Sequence, residues 1–539
     1  MVVVTFLPLR FSARASQGPR AFLLQLAHCG PTLLNISPDL RQGVIKTTEA
    51  QPTESHATTG PAQLVLKLGV VFLFSIVLAV VLFRGIETSG RPFDYPHAFV
   101  SADVATSART FARVGILQLH GVPVDNNPPI GSEDSYTHWP PLLPILLSLC
   151  YRAFGVSERV AHLLMLCVLV ATAILVFRIG ERWLGLIGGA LAGFFWLTLP
   201  VTLQFGHLVS QQALMTLFMV AAVLAFLDES NAIGAGLLFL GAFTSWEVVL
   251  IAPGLLLAAC WRPELRRCAL AAAIGVGTGV ACVAALYLLN SPSLAVDALQ
   301  AAKFYMGTSP SYSHILPPQP SLGAAEQVRR MLLNNVSMLG PLGLGAVLQF
   351  FTARFHNRIF LLASLSTPWL VWCVIMRNHM ARHHFEFVIA APFVALALAW
   401  MAATPSKTPA LKIGILAALA GVQVLTLPKP PISDGYDSVA LIRYGQGIRR
   451  FTEQNSIVMA PLVSAVPLYY SERHIVRGVD GADSAALRLP ALRREFPASP
   501  IYLAIPPSLL SNFPGGRVAA SNGDVVILRF SDVKPDSIP

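Results

Sequence analysis

The most constraining feature of this chain is a series of long apolar runs separated by short charged breaks. The first, LVLKLGVVFLFSIVLAVVLF at 64–83, carries a single lysine. About twenty apolar residues suffice for a helix to cross the hydrocarbon of a bilayer. Further candidate spans follow at 160–179, 184–200, 208–227, 232–245, 247–261, 268–289, 337–352, 359–376, 385–402 and 410–427. Only 12% of the 539 residues are charged and 54% are hydrophobic, against about 25% charged in soluble domains. A soluble multidomain protein and a disordered chain are both excluded. The expected fold class is a polytopic all-α membrane protein with about eleven transmembrane helices.

Basic residues orient such a chain, because short cytoplasmic loops are enriched in Lys and Arg. With the N-terminus inside, the cytoplasmic loops carry Arg178 and Arg182, then Arg262, Arg266 and Arg267, then Arg354 and Arg358, then Lys407 and Lys412. Only the loop at Asp228 and Glu229 breaks the pattern. This topology accounts for part of the net charge of +10. No basic run interleaved with aromatics is present to suggest nucleic acid. It also divides the chain. Residues 1–62 are expected to be a disordered cytoplasmic segment, with a targeting sequence or an over-long start of the reading frame as alternatives. Residues 63–430 form the membrane domain, with external segments at 84–159, 290–336 and 377–384. Residues 431–539 form a small extracytoplasmic α/β domain, in which IVMAPL, PIYLAIP and DVVILRF read as strands and 437–454 as a helix. The seven cysteines show no CxxC or Cys/His metal spacing and read as packing residues.

Ionisable residues at membrane depth are costly and usually functional, and here the polar clusters sit just outside the spans. The first external loop holds Asp94, Asp103, Asp125, Glu133, Asp134 and His138. The segment 377–386 packs Arg377, His379, Arg382, His383, His384 and Glu386 between two spans. An acidic and a basic loop on one face would bracket a cavity suited to deprotonating a hydroxyl and stabilising an anionic leaving group. The absence of internal repeats speaks against an inverted-repeat transporter.

SADVATSARTFARVGI resembles the first external loop of GT-C glycosyltransferases, in which an acidic residue precedes a short helix ending in Gly. THWPPLLPILLSLCYRAFGVSERVAH resembles their Pro-Pro amphipathic helix and the Phe-Gly-x-Ser-Glu turn after it. GAFTSWEVVLIAPGLLL and HHFEFVIAAPFVALALAW resemble the segments that precede two later spans. The order and spacing fit across roughly 64–430, most nearly the bacterial lipid A and core sugar transferases and the protein O-mannosyltransferases.

The resemblance implies a GT-C enzyme of the bacterial inner membrane. It would transfer a hexose or pentose, with inversion, from a polyprenyl-phosphate donor to an acceptor hydroxyl of a lipid, polysaccharide or protein on the extracytoplasmic face. Asp103 matches the family's catalytic carboxylate and is the expected general base; capping the following helix is the structural alternative. The family's adjacent acidic residue is Val104 here, which places a metal-binding dyad in doubt and leaves a divalent metal open, with no metal ligands assigned. At the fourth span the family's second carboxylate is replaced by Gln211 and Gln212, with His207 nearby. Arg377, Arg382, His383 and His384 are the expected contacts of the donor phosphate, with interfacial anchoring or a His383–His384 metal site as alternatives. Glu133, Asp134, His138, His207, Gln211, Glu247 and His379 are the expected substrate-binding residues. Lys303, Arg329 and Arg330 are secondary phosphate candidates. Tyr136 to Trp139 should form a stiff lip before the proline pair, stacking on sugar or lying in the membrane interface. Glu247 would bind sugar or receive an arginine. A transporter or flippase for a lipid-linked anion, or a non-catalytic subunit of GT-C fold, remains an alternative.

Overall fold

The computed structural model describes residues 61–539 apart from 132–133, 137, 291, 310–321, 353–357, 405–411, 415–416, 419–420, 422–437, 462–463, 514–516 and 530–539. The N-terminal segment 1–60, Cys29, Glu133, Arg354, Lys407 and most of the span expected at 410–427 lie outside these residues.

Among the described residues, four helices are long and apolar enough to cross a membrane: Gln63–Thr88, Glu158–Thr198, Pro263–Asn290 and Ala324–Phe351. Six shorter apolar helices of 10–17 residues accompany them. The first helix, α1 (Pro61–Thr88), exposes apolar side chains along most of its length and packs Phe74 against Gly193. Next come α2 (Ala98–Val114), α3 (Leu142–Phe154) and α4 (Glu158–Thr198). The 41 residues of α4 are interrupted at Gly185, which adopts φ 71°. A Cβ on Gly180 would meet that of Ala192 at 2.8 Å, and one on Gly189 would meet the Phe177 carbonyl at 2.7 Å. Residues 12 positions apart on a straight helix are about 18 Å apart, so the chain doubles back at Gly185. The element is a helical hairpin whose two limbs match the spans expected at 160–179 and 184–200.

The bundle continues with α5 (Pro200–Phe205), α6 (Gln211–Leu227), α7 (Asn231–Ala242), α8 (Ile251–Trp261), α9 (Arg266–Asn290), α10 (Pro292–Tyr305) and α11 (Ala324–Thr352). α11 breaks at Gly340, φ 73°, before Pro341. Then follow α12 (Thr367–Ile375), α13 (Arg377–Arg382) and α14 (Ala391–Ala403). Nine consecutive residues of α14, Ala391 to Ala399, are buried; a helix apolar all round belongs in the centre of a bundle. Arg182, beside the α4 hairpin turn, pairs with Asp228 at the end of α6. The one acidic break therefore shares a face of the bundle with a basic one.

The C-terminal region opens with α15 (Ser438–Phe451) and contains α16 (Val466–Ser471), α17 (Ala482–Glu495) and five strands: β1 (Ile457–Ala460), β2 (His474–Arg477), β3 (Ile501–Ile505), β4 (Val518–Ser521) and β5 (Val526–Arg529). Their order is β2-β1-β3-β5-β4, with β2, β1 and β3 parallel and β5 and β4 antiparallel. Strand alternation turns Ile457 and Met459 to Leu489 and Leu492 of α17, and Val458 and Ala460 to Tyr444 and Ile448 of α15. The sheet is thus covered by a helix on each face. Ile442 of α15 and Val466 and Tyr469 of α16 join one apolar cluster with Ala98, Ala102, Ala105 and Ala108 of α2 and Leu143 and Leu147 of α3. The alanines recur at helical spacing, which lets α2 lie close to its neighbours.

Candidate active site

α2 starts at Ala98, five residues before Asp103, after His97 in the left-handed region at φ 62°. Asp103 therefore lies inside the helix and cannot cap it, which removes the structural alternative. Gly115 ends the helix as expected, at φ 120°. The side chain of Asp103 is half-buried, and its Oδ1 is out of water with no hydrogen-bond partner among the described residues. The hydroxyl of Tyr136 faces the carboxyl and favours its ionised form. Desolvation and the neighbouring Asp125 push the Asp103 carboxyl up to about 7, against the lowering pull of Arg477 and Tyr136.

The loop between α2 and α3 folds back on itself through a bridge between Val124 and Ser135. Its turn is built by its own polar residues, as a VDNNPPIGSEDS sequence suggests. Asp134 accepts from the Gly131 N–H at 2.5 Å and from Asn126 Nδ2 at 2.9 Å, and stands 3.4 Å from His474. It is buried, and its carboxyl is raised by desolvation. Asp134 thus has an architectural occupation, whereas Asp125 forms an ion pair with Arg477 at the end of β2. Among the described residues, the second carboxylate facing Asp103 is Asp125.

The aromatic lip is fixed through its carbonyls. Trp246 Nε1 donates to His138 O and the Tyr287 hydroxyl to Trp139 O, both at 2.7 Å. Trp139 is buried, which excludes it from a lipid-facing belt. Burial lowers the His138 imidazole to about 4, so it acts at neutral pH as a hydrogen-bonding group and not as a cation.

The second loop lies across this lip. The His379 ring is 5.8 Å from Trp139 and 4.1 Å from Tyr305, centroid to centroid. Tyr305 also faces Tyr136 electrostatically, so the two loops meet around it. His379 Nε2 contacts Glu386 Oε1 at 2.7 Å. Glu386 in turn faces Glu247, which accepts from Ser245 and, at 3.1 Å, from Gln212. Glu247 receives no arginine among the described residues; its partner is a second buried carboxyl. Gln211 is buried at the start of α6 with Oε1 unpartnered among the described residues. His207 stands apart from this group, 5.2 Å from the Tyr95 ring and 6.2 Å from His162.

Of the cationic candidates, Arg377 Nε donates to Gln327 at 3.0 Å. Arg382 Nε donates to Asn378 at 3.1 Å with its guanidinium 5.5 Å from the Phe304 centroid. Arg329 and Arg330 both pair with Glu326 of their own helix. His383 lies 4.5 Å from His379 and 5.8 Å from His97 between ring centroids, and His384 Nδ1 is 3.3 Å from His97 Nε2. Burial lowers all of these imidazoles, with His379 at about 3 and His384 at about 4. Positive charge in this loop is therefore carried by the two arginines. Among the described residues, no three His, Cys, Asp or Glu side chains converge as a metal site.

Two members of the arrangement escape a local reading of the sequence. Arg477 ends a four-residue strand, HIVR, that carries no motif, and it meets Asp125 across 352 positions. The Glu247–Glu386 contact joins the beginnings of two separate apolar segments. Only the positions of the charged residues along the chain hinted at either.

No protein-family model matches the chain, and neither does any curated protein. Solved structures do. ArnT from Cupriavidus metallidurans bound to undecaprenyl phosphate superposes with a TM-score of 0.57 at 13% identity, covering 86% of this chain and 98% of ArnT. The apo state of the same protein gives 0.54 at 15% identity, covering 85% and 97%. The archaeal oligosaccharyltransferase AglB from Archaeoglobus fulgidus, in complex with an inhibitory peptide and a dolichol-phosphate, gives 0.51 at 12% identity, covering 81% and 69%. The chain shares the fold of ArnT and AglB, in line with the fold that the resemblance to GT-C glycosyltransferases implies.

Proposed function

We propose that the protein is an integral-membrane glycosyltransferase of about eleven spans. It moves a sugar from a polyprenyl-phosphate donor to an acceptor hydroxyl on the extracytoplasmic face. The observation that carries this reading is the Asp103 carboxyl: half-buried, with one oxygen unpartnered among the described residues and an affinity for protons near neutrality. A base works best when its pKa lies near the operating pH. The undecaprenyl phosphate of ArnT and the dolichol-phosphate of AglB support a lipid-phosphate donor, and the inhibitory peptide bound to AglB supports a protein among the acceptor classes.

In this reaction Asp103 takes the proton of the acceptor hydroxyl as the oxygen attacks the anomeric carbon. The new C–O bond forms while the bond from that carbon to the phosphate oxygen breaks, and the polyprenyl phosphate leaves with the electron pair. Arg377 and Arg382 supply positive charge toward the leaving phosphate. His379, His383 and His384, held neutral, contribute hydrogen bonds. His138, Gln211 and Glu247 line the sugar side. The C-terminal sheet would lie outside the membrane on the same face, a reading supported by the contact of β2 with the Asp103 loop. Mass spectrometry of cell-envelope glycans with and without the chain tests the reading. A single hexose, pentose or uronic acid increment that depends on the chain is expected; identical glycans would refute it.

A further inference from the structure

Asp125 and Arg477 form an ion pair beside Asp103 although they lie 352 positions apart. Their side chains keep only 15% and 21% of their exposure. Withdrawing a charged pair from water is costly unless its surroundings hold it in place. The surroundings here are specific. Asn126 Oδ1 accepts the Ile475 N–H at 2.9 Å while its Nδ2 donates to the Ile475 carbonyl at 3.0 Å, so one side chain satisfies both backbone groups of a β2 residue. Asn127 Nδ2 donates to Leu468 O at 2.9 Å and Arg473 O at 3.0 Å. His474 Nδ1 contacts Pro129 O at 2.8 Å. These bonds already dock β2 on the loop without Arg477. Its guanidinium is spent on the carboxylate next to the base instead.

Among the described residues, the charged and titratable groups facing this point are few. Asp125 comes from the loop, Arg477 from β2, and Tyr136 and His138 from the lip. Asp134 faces Arg477, and Tyr305 faces Tyr136. Two carboxyls sharing a poorly hydrated site cannot both ionise freely. We propose that Arg477 is a positioning residue of the Asp103 site: it binds Asp125 as a neutral ion pair and so reserves Asp103 as the single proton acceptor. The C-terminal sheet is on this view a working part of the active site. The proposal rests on Asp103 being the base.

Two readouts separate it from that premise. The first is the pH dependence of sugar transfer by the full-length protein and its R477Q, R477K and R477Q/D125N variants. R477Q should lose about fivefold at pH 7, the effect of a one-unit rise from a pKa of about 7, and regain most of it by pH 9, because Asp103 and Asp125 then compete for one proton. R477K should keep the wild-type profile, and R477Q/D125N should return the acid limb to its original place. An equal loss at every pH, or a double variant no better than R477Q, would overturn the proposal as a mere packing effect. The second is an infrared titration of the Asp103 carboxyl, isolated by difference against D103N. Its midpoint should rise in R477Q and fall back in the double variant. This measurement stands even if no sugar transfer is found, and an unmoved midpoint in R477Q would sink the proposal by itself. R477K and the double variant retain a reading if R477Q alone fails to fold.

Discussion

At Asp103, desolvation and the charge of Asp125 outweigh the stabilisation from Arg477 and Tyr136, and the carboxyl titrates near 7. In the proposed reaction the deprotonated form is the base, so transfer should rise about tenfold per pH unit below this value and level off above it. A profile flat between pH 5 and 8 would show that another group is the base. Asp103→Asn should lower the rate by about 10²–10⁴. Its stability should move the other way. The folded-state value lies above the unfolded one, so the stability present below the unfolded pKa is lost as pH rises through about 7. Asparagine does not ionise, and the variant should therefore melt no lower than wild type at pH 8 by differential scanning fluorimetry.

Among the elements, the pin between the first loop and β2 is the most exposed to single substitutions. Asn126→Ala strips both backbone groups of Ile475 and one contact of Asp134. Leaving buried polar groups unsatisfied costs about 1–3 kcal/mol each. The melting temperature should fall, and limited proteolysis should cut first between α15 and β3. The hairpin turn of α4 is similarly vulnerable. A side chain on Gly189 would strike the backbone at Phe177, so Gly189→Val should sharply reduce folded protein in the membrane, whereas a substitution at the open Gly236 should not. Much at this scale was legible. Apolar runs of span length and the strand pattern of IVMAPL, PIYLAIP and DVVILRF are local signals, and helices and strands form at them. The α2 boundary was not, because alanines such as Ala98 and Ala102 carry helical packing without advertising it. β2 and β4 were also missed, because HIVR and VAAS lack the run of large apolar residues that marks β1, β3 and β5.

Across the whole molecule, the acidic and basic loops converge on Tyr305 and Trp139, while Arg182 and Asp228 meet at the end of the helices they terminate. Sequence placed these charges in order along the chain; it could not say that Arg477 would reach Asp125, because that contact depends on how a distant sheet docks. The sidedness is testable. In a cysteine-free background, a cysteine at exposed Leu487 of α17 should react with an impermeant maleimide in intact cells, and one at Arg178 only after permeabilisation. The reverse pattern would invert the topology. The most direct test of sugar transfer through Asp103 uses membranes carrying wild type or D103N at equal levels. They are given a labelled polyprenyl-phosphate sugar and an envelope extract, and the label entering the extract is measured. Wild type should transfer it and D103N should fall by at least about a hundredfold; equal incorporation by both, or by neither with the sugar moved intact on its lipid, would contradict the mechanism.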